Sequence, residues 1–528
     1  MLKKFKYALF VGVILTFVPQ AFAETPKDTL VIAKTIDDII SLDPAEAYEF
    51  MGIEVVANTY DRIMRFEPTD ITKLVPGMTE SYTASEDGKT FTFKMRAGQK
   101  FASGNPVTAA DAVFSLTRVV KLDKTPAFLI GQLGWTKDNV DSMVKKVDDG
   151  TFTITIGENY SPSLVLALLS SVVGSVVDHK TVMEHETAGD FGNAWLKTNS
   201  AGSGAYVLKS WKASESVTLE ANPNYRGGAA SLKRVIIKHV AEPAAQRLLL
   251  EKGDIDVARD LQPDQIAGVI GNKDVAVTTI PQAALYYVAM NMKTPEFQNA
   301  EVRKAMHHLI DYDGMANSFL KGKVKVHQSF WPSGFWASLD DNEYKFDPAM
   351  AKAMLAKAGV KDGIEFTLDT PNKAPFNTMA QAVQASMAQG GVKVTLIPAE
   401  EKAVLTKYRA RGHQMLVENW GPDYMDPHTN ADTFARNTDN SDAPKSKPLA
   451  WRNSWDIPEL SKRTLAAVQE RDADKRKQMY LDLQKDVMDQ GPIMIMFQDT
   501  VQLATRANVK GYIMGASSDV DYYNLTTK

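Results

Sequence analysis

The feature that most constrains the fold is an alternation of short apolar runs with longer amphipathic segments along the 528-residue chain. Period-two runs at 29–33 and 91–95 predict half-buried strands. Apolar residues at helical spacing predict a helix at 52–66. Thr108 is expected to begin a helix that extends through Arg118, with its hydroxyl accepting from the backbone amide of Asp111.

The second half of the chain continues this alternation with longer helices. Helices are predicted at 299–309, 347–358, 377–389 and 474–489. Strands are predicted at 364–368, 392–397, 415–418 and 493–498. The polar segment 437–447 predicts a long surface loop. Helices and strands that alternate in this way indicate an α/β fold.

The first residues of the chain are typical of an export signal. Three lysines precede an apolar run over 7–19, which ends in Ala-Phe-Ala at 21–23. The run is short for a membrane span, so a signal peptide at 1–23, cleaved before Glu24, is favoured over an uncleaved anchor helix. Because no cysteine follows, no lipid anchor is expected. The mature chain is expected to be soluble in the periplasm after cleavage near Ala23.

Composition excludes several classes of protein. Hydrophobic residues make up 44% of the chain and charged residues 23%, as in ordinary globular proteins. A formal net charge of −4, without a basic stripe, argues against a nucleic-acid partner. The absence of cysteine excludes disulfides, thiol catalysis and cysteine-ligated metals. The most apolar later segment, 164–177, contains serines and a glycine and predicts a buried helix.

Several segments resemble, in order and spacing, a known family of bacterial proteins. The segments from the first half are SLDPA at 41–45, NTYDRI at 58–63, LVPGMTESY at 74–82, DGKTFTF at 87–93, MRAGQKF at 95–101 and VTAADAV at 107–113. The later segments are GSGAYVL at 202–208, NPNY at 222–225, YYVAMNM at 286–292 and VRKAMHHLID at 302–311. On these motifs the chain resembles the extracellular solute-binding proteins of family 5, which serve dipeptide, oligopeptide and nickel ABC importers.

The resemblance implies a two-lobed periplasmic-binding-protein fold of type II, cluster C, with an extra subdomain on the first lobe. It places lobe I at 24–55, 196–280 and 499–528, the extra subdomain at 56–195, and lobe II at 281–498. Two chain crossings near 281 and 498 would then form the hinge.

The resemblance also implies where a ligand is bound. Residues 420–423 match the family's Trp-x-x-Asp segment, so Asp423 is expected to pair with a ligand amine while Trp420 and Tyr424 supply flat apolar surface. The alternative for Asp423 is a turn aspartate after proline. Oligopeptide binders can carry an arginine three residues before that tryptophan to receive a ligand carboxylate, whereas this chain has Val417. A peptide of that particular length therefore lacks its matched cation at this position.

Two further groups of aromatic and acidic residues are weaker candidates for the ligand site. Trp331, Phe335 and Trp336 fall where dipeptide binders have a ligand-contacting segment, and core packing explains them equally well. In the first lobe, the residues that follow the Leu-Asp-Pro opening are candidates for reaching the cleft: Glu46, Tyr48 and Phe50.

The remaining motifs give little support to catalysis or to metal binding. His307 and His308 are adjacent and so point apart on a helix, which favours a core or surface role over a shared metal. No serine nucleophile elbow, H-E-x-x-H or Walker motif occurs. A secreted glycosidase or peptidase is a minor alternative, as is a receptor that presents its ligand to a membrane sensor.

The leading interpretation is therefore a non-enzymatic, monomeric periplasmic subunit of an ABC importer. It captures a short peptide or peptide-like solute by lobe closure and delivers it to an inner-membrane permease. No cofactor is expected. Within the same family, a non-peptide ligand such as an opine, a sugar conjugate, a nickel chelate or haem stays open.

Overall fold

The computed structural model describes residues 24–528 except 68–69, 361–362 and 445. The signal peptide predicted at 1–23 lies outside the described residues. Within the part of the chain that is described, no helix combines the length and the apolar composition that a bilayer crossing requires.

The strands and helices alternate along most of the chain. The strands are β1 Thr29–Lys34, β2 Met64–Glu67, β3 Asp70–Pro76, β4 Thr79–Ala84, β5 Thr90–Met95, β6 Val144–Asp148, β7 Thr151–Thr155, β8 Tyr206–Lys212, β9 Ser216–Ala221, β10 Arg234–His239, β11 Val257–Ala258, β12 Val275–Met290, β13 Val324–Val326, β14 Ile364–Pro371, β15 Val392–Ala399, β16 Met415–Trp420 and β17 Ile493–Arg506. The helices are α1 Phe50–Thr59, α2 Ala109–Leu122, α3 Ala127–Gly131, α4 Val140–Met143, α5 Pro162–Leu168, α6 His179–Glu184, α7 Asn193–Leu196, α8 Pro243–Lys252, α9 Pro263–Val269, α10 Ala300–His307, α11 Tyr312–Asn317, α12 Pro348–Lys357, α13 Phe376–Gln389, α14 Glu401–Arg409, α15 His428–Phe434, α16 Leu449–Arg452, α17 Pro458–Gln469 and α18 Ala473–Gln490. Short 3-10 helices occur at Val172–Gly174, Pro295–Gln298 and Ser518–Val520.

One large sheet passes through both lobes. Its strand order is β15-β14-β16-β12-β17-β11-β1-β10-β9-β8, and β13 pairs with β17. We call the half with β1 and β8–β11 the first lobe and the half with β13–β16 the second lobe. The long strands β12 and β17 run antiparallel through both halves, and their register shifts between Pro281 and Leu285. This irregularity lies beside the crossings predicted near 281 and 498, while the exact lobe boundaries stay a prediction.

Alternation along β12 explains why the second lobe has a core on each face of its sheet. Tyr286, Val288 and Met290 pack into one cluster, together with the helices α10, α12 and α13. Leu285 and Tyr287 pack into another on the opposite face, with α15 and α18. Successive side chains of a strand point to opposite faces, so six consecutive apolar residues fill two cores.

An appended subdomain carries a second sheet, in the order β4-β5-β7-β6. Phe93 and Phe152 stack at 5.0 Å between ring centroids in its core. The helix α2 packs beside this sheet and begins after Thr108, as predicted. A capping box closes its first turn: the side chain of Thr108 accepts from the backbone N–H of Asp111, as predicted, and Oδ2 of Asp111 accepts from the backbone N–H of Thr108 at 2.8 Å.

Most predicted elements are confirmed, although two helices are shorter than expected. The helix predicted at 52–66 ends at Thr59, because Met64 and Phe66 instead pair with Pro76 and Leu74 across β2 and β3. The buried segment 164–177 is helical only to Leu168 and then turns through a 3-10 helix. The periodicity of apolar residues does not mark the end of either helix, because each predicted segment remains buried beyond the point where its helix ends.

Candidate functional site

A cavity of about 400 Å³, partly open to solvent, lies between the second lobe and the appended subdomain. Phe128 and Gln132 line it from the subdomain, whereas Trp420, Asp423 and Tyr424 line it from the second lobe. Its volume is in the range of small-molecule sites, which are concave and hold few polar groups. Three of the predicted site residues therefore come together in one cleft.

The loop after β16 presents these three residues, and its side chains are fixed from several sides. Trp420 donates from Nε1 to Oδ1 of Asn430 at 3.1 Å, and the backbone N–H of Asp423 donates to Oγ1 of Thr429 at 3.2 Å. The hydroxyl of Tyr424 donates to Oε1 of Gln132 at 3.2 Å, which links the second lobe to the subdomain. The loop is thus held by the helix α15 that follows it.

Asp423 combines burial with an absence of positive charge. Its Oδ1 accepts a hydrogen bond of 2.7 Å from the hydroxyl of Tyr48, across the cleft from the first lobe. Burial raises the pKa of Asp423, and neighbouring Asp432 raises it further, while the bond from Tyr48 opposes both. Among the described residues, no Lys, Arg or His forms an ion pair with this carboxylate. The carboxylate of Asp423 can therefore bind a cation from a ligand, because none of the described side chains forms an ion pair with it.

The first-lobe candidates lie in different environments. Tyr48 packs edge-on against Phe128, which lines the cavity, with 5.8 Å between ring centroids. Glu46 accepts from Asn193 and pairs with Lys197 at 3.2 Å, so its charge is compensated. Phe50 begins α1 and is 73% exposed. The cavity is not lined by Glu46, Tyr48 or Phe50, and their predicted ligand contact stays a prediction.

The Leu-Asp-Pro segment before Tyr48 has a structural role. Asp43 is fully buried, and its two oxygens accept from the two terminal nitrogens of Arg118 at 2.7 and 2.6 Å. Asn193 adds a third bond at 2.7 Å and also reaches Glu46. A bidentate ion pair of this kind fixes geometry as well as charge. It therefore anchors the loop that carries Tyr48.

The aromatic residues of the segment 330–336 lie behind the cleft, in a core of the second lobe. Trp331 is 1% exposed and donates from Nε1 to the carbonyl of Trp336 at 2.9 Å. Phe335 packs on Trp331 at 5.5 Å. Arg476, which holds Asp426 of the site loop, lies 5.4 Å from the ring of Trp336. These contacts support the loop, and a direct ligand contact of the three aromatics stays a prediction.

Several charged residues of the cavity wall were not singled out from the sequence. Arg436 binds Asp432 one helical turn away in a bidentate pair, with 3.0 Å between Nη2 and Oδ2. Lys447, in the predicted surface loop, and Arg452, at the end of α16, also line the cavity. The i, i+4 spacing of Asp432 and Arg436 was a detectable signal. No local pattern connects Lys447 or Arg452 with Asp423.

Two other sequence features lie away from the cavity. Val417 is fully buried in β16 opposite Val288, so this position contributes to the core. His307 stacks on Tyr344 at 4.1 Å, and burial lowers its pKa to about 3, which keeps the ring neutral. His308 is bonded to the carbonyl of Lys345 at 2.9 Å. Among the described residues, no cluster of three or more His, Cys, Asp or Glu side chains could hold a metal ion.

Two lobes joined by paired crossing strands, with a cleft that contains an uncompensated buried carboxylate, define the class of bilobal binding proteins. Comparison with known proteins agrees with this class. Residues 73–442 match the model of the bacterial extracellular solute-binding proteins, family 5 Middle, and the chain belongs to this family. The family and the two-lobed α/β fold expected from the sequence are both confirmed.

Similar proteins cover nearly the whole chain. The probable D,D-dipeptide-binding periplasmic protein DdpA of Escherichia coli (strain K12) is 29% identical over 528 residues, 99% of this chain and 98% of the relative. HbpA2 from Haemophilus parasuis superposes with a TM-score of 0.79 at 21% identity, covering 94% of this chain and 99% of that one. The dipeptide binding protein from Pseudoalteromonas sp. SM9913, in complex with Met-Leu, gives 0.75 at 21% identity, with 95% and 100% covered.

Proposed function

We propose that this protein is the periplasmic substrate-binding subunit of an ABC importer and captures a short peptide or peptide-like solute by lobe closure. It then delivers the solute to an inner-membrane permease. The observation that carries this proposal is the buried carboxylate of Asp423, which accepts a hydrogen bond from the hydroxyl of Tyr48 and has no ion-pair partner among the described residues.

An ionised carboxylate in such a place is costly unless a partner arrives. Removing an ion from water costs several kcal/mol after relaxation, and only a well-placed opposite charge with hydrogen bonds offsets this cost. The ammonium end of a peptide provides one positive charge and three donors. Trp420 and Tyr424 beside Asp423 add flat apolar surface for the adjoining peptide plane. The cleft therefore matches the amino end of a peptide.

Lobe closure is expected because the residues around the cleft belong to different parts of the fold. Tyr48 comes from the chain before α1, Gln132 from the appended subdomain, and Asp423 from the second lobe. A ligand that contacts all three stabilises the closed arrangement of the lobes over the open one. The closed shape is then the signal that the permease receives.

The relatives support the same ligand class. DdpA is named as a probable D,D-dipeptide-binding periplasmic protein, and the Pseudoalteromonas protein is a dipeptide binding protein in complex with Met-Leu. We propose that no catalytic step takes place in this chain, that it needs no cofactor, and that it acts as a monomer after its signal peptide is removed.

The ligand that remains with the protein after purification tests this proposal. The mature protein is purified under native conditions, denatured, and its small molecules are identified by mass spectrometry. We expect a short peptide with a free amino end. Recovery of haem, a nickel chelate or an opine, or turnover of peptidase or glycosidase substrates, would instead contradict the proposal.

The affinity for such peptides should depend on pH. Because burial raises the pKa of Asp423, the carboxylate becomes protonated at a higher pH than an ordinary aspartate, and the attraction to the ammonium is then lost. We expect affinity to fall as the pH drops through this raised pKa. Calorimetric titration from pH 8 to pH 4 measures the change, and a profile as flat as that of Asp423→Asn would contradict it.

A further inference from the structure

The charged groups of the cavity wall do not balance one another. Arg436 and Asp432 neutralise each other in a bidentate pair. Burial lowers the pKa of His428 to about 4, so this ring is uncharged near neutrality. The groups that remain are the carboxylate of Asp423 and two cations, Lys447 and Arg452. The cleft thus provides one acidic and two basic contacts for whatever it encloses.

From this imbalance we infer that Arg452, with Lys447 beside it, receives the carboxylate end of the ligand. The inference rests on the proposed function, and it narrows the ligand class to short zwitterions whose carboxyl end is unmodified.

Arg452 is positioned for a bidentate contact. Its Nε donates to the carbonyl of Lys447 at 2.9 Å, and its guanidinium lies 5.4 Å from the ring centroid of Tyr408. Tyr408 is itself fixed, since its hydroxyl accepts from Nδ2 of Asn453 at 2.9 Å. Among the described residues, neither terminal nitrogen of Arg452 has a hydrogen-bond partner. Two parallel N–H groups are the arrangement that matches a carboxylate.

No acid of the described residues forms an ion pair with Arg452. Glu418 interacts with it electrostatically, but from beyond ion-pair distance, and burial raises the pKa of Glu418 to about 7. That carboxyl is therefore only partly charged at neutral pH and compensates Arg452 incompletely. A ligand carboxylate can approach more closely.

Lys447 is a secondary contact rather than the main one. It is exposed, its Nζ lies 4.8 Å from the ring centroid of Trp451, and it has a flexible stem. An exposed ammonium contributes less than a half-buried, pre-positioned guanidinium, because solvent screens its charge and holding it costs side-chain entropy.

The test compares two equimolar pools of dipeptides that differ only at the carboxyl end, one with the acid and one with the amide. Calorimetry is run with the whole mature protein and its Arg452→Gln, Arg452→Lys and Lys447→Gln variants. The matched control is Arg409→Gln, which removes an exposed arginine from the same lobe.

We expect wild type and Arg409→Gln to bind the acid pool about 10-fold more tightly than the amide pool. Arg452→Gln should abolish this preference while leaving amide binding nearly unchanged. Arg452→Lys should retain part of the preference, and Lys447→Gln most of it.

Two outcomes overturn the inference, and they are distinguishable. If wild type binds both pools equally and still depends on Asp423, the carboxylate assignment fails while the proposed function stands. If wild type binds neither pool, the proposed function fails with it. If Arg452→Gln folds poorly, the comparison of the acid and amide pools with the wild-type protein still tests the inference.

Discussion

Replacing Asp423 with alanine is expected to weaken binding of peptides that carry a free amino end by roughly 30-fold or more. Truncating one partner of a buried, hydrogen-bonded charge pair costs about 2–5 kcal/mol, much of it because the other charge is left unpaired. In the variant, the ligand ammonium would enter the cleft with only the hydroxyl of Tyr48 and a cavity in place of the carboxylate. Calorimetric titration with a dipeptide pool measures the change.

Matched variants separate loss of charge from loss of shape. Asp423→Asn keeps an oxygen that can accept from Tyr48 but removes the negative charge, so it should lose nearly as much affinity as alanine. Asp456→Asn, at an exposed aspartate of the same lobe, should bind like wild type. Equal affinity in wild type and Asp423→Asn would remove Asp423 from the site.

In the ligand-free protein, Asp423→Asn should not reduce the stability of the fold. Because burial raises the pKa of Asp423, the folded state binds this proton more tightly than the unfolded state does. Its contribution to stability is therefore greatest at low pH and is lost as pH rises through the raised pKa. A neutral asparagine avoids that loss, so Asp423→Asn should not lower the unfolding temperature at pH 7.

The second large effect concerns the ion pair that holds the site loop. Asp426 is buried and receives two hydrogen bonds from Arg476, at 2.7 and 2.9 Å, and one from the backbone N–H of His428 at 2.9 Å. Removing one partner of such a pair leaves the other charge buried and uncompensated. Asp426→Ala should lower the free energy of unfolding by about 3–5 kcal/mol, as measured by denaturant titration.

A double replacement distinguishes the pair from the packing around it. Asp426→Leu combined with Arg476→Met removes both charges and should recover much of the lost stability, since apolar pairs of similar volume can replace buried ion pairs. Arg476 also donates to Ser163 of the appended subdomain at 3.0 Å, so some loss should persist. A cost below about 1 kcal/mol for Asp426→Ala would contradict this account of the loop.

The elements of the fold were largely predictable because their signals are local. Period-two runs marked β1 and β5, and the alternation after residue 299 marked α10, α12, α13 and α18 together with β14, β15, β16 and the start of β17. The end of α1 was not predictable in this way. A Cβ added to Gly77 would lie 2.2 Å from the carbonyl oxygen of Arg62, so the backbones of these two segments are in close contact. This contact depends on tertiary structure, which a local sequence pattern does not reveal.

The site was predictable only in part, for the same reason. The segment from Trp420 to Asp423 could be found because a short motif marks it. Gln132 and Arg452 lie far from Asp423 in the sequence, and only the tertiary structure brings them around one cavity. The aromatic residues around Trp331 had the composition of a binding wall, but composition does not distinguish a wall from the core behind it.

Small-angle X-ray scattering of the mature protein with and without the dipeptide pool tests the central claim most directly. Enclosure of a peptide between the lobes predicts that the radius of gyration of wild type falls when the pool is added, and that Asp423→Asn does not change. An unchanged wild-type profile, at concentrations where calorimetry shows the peptide bound, would contradict capture by closure.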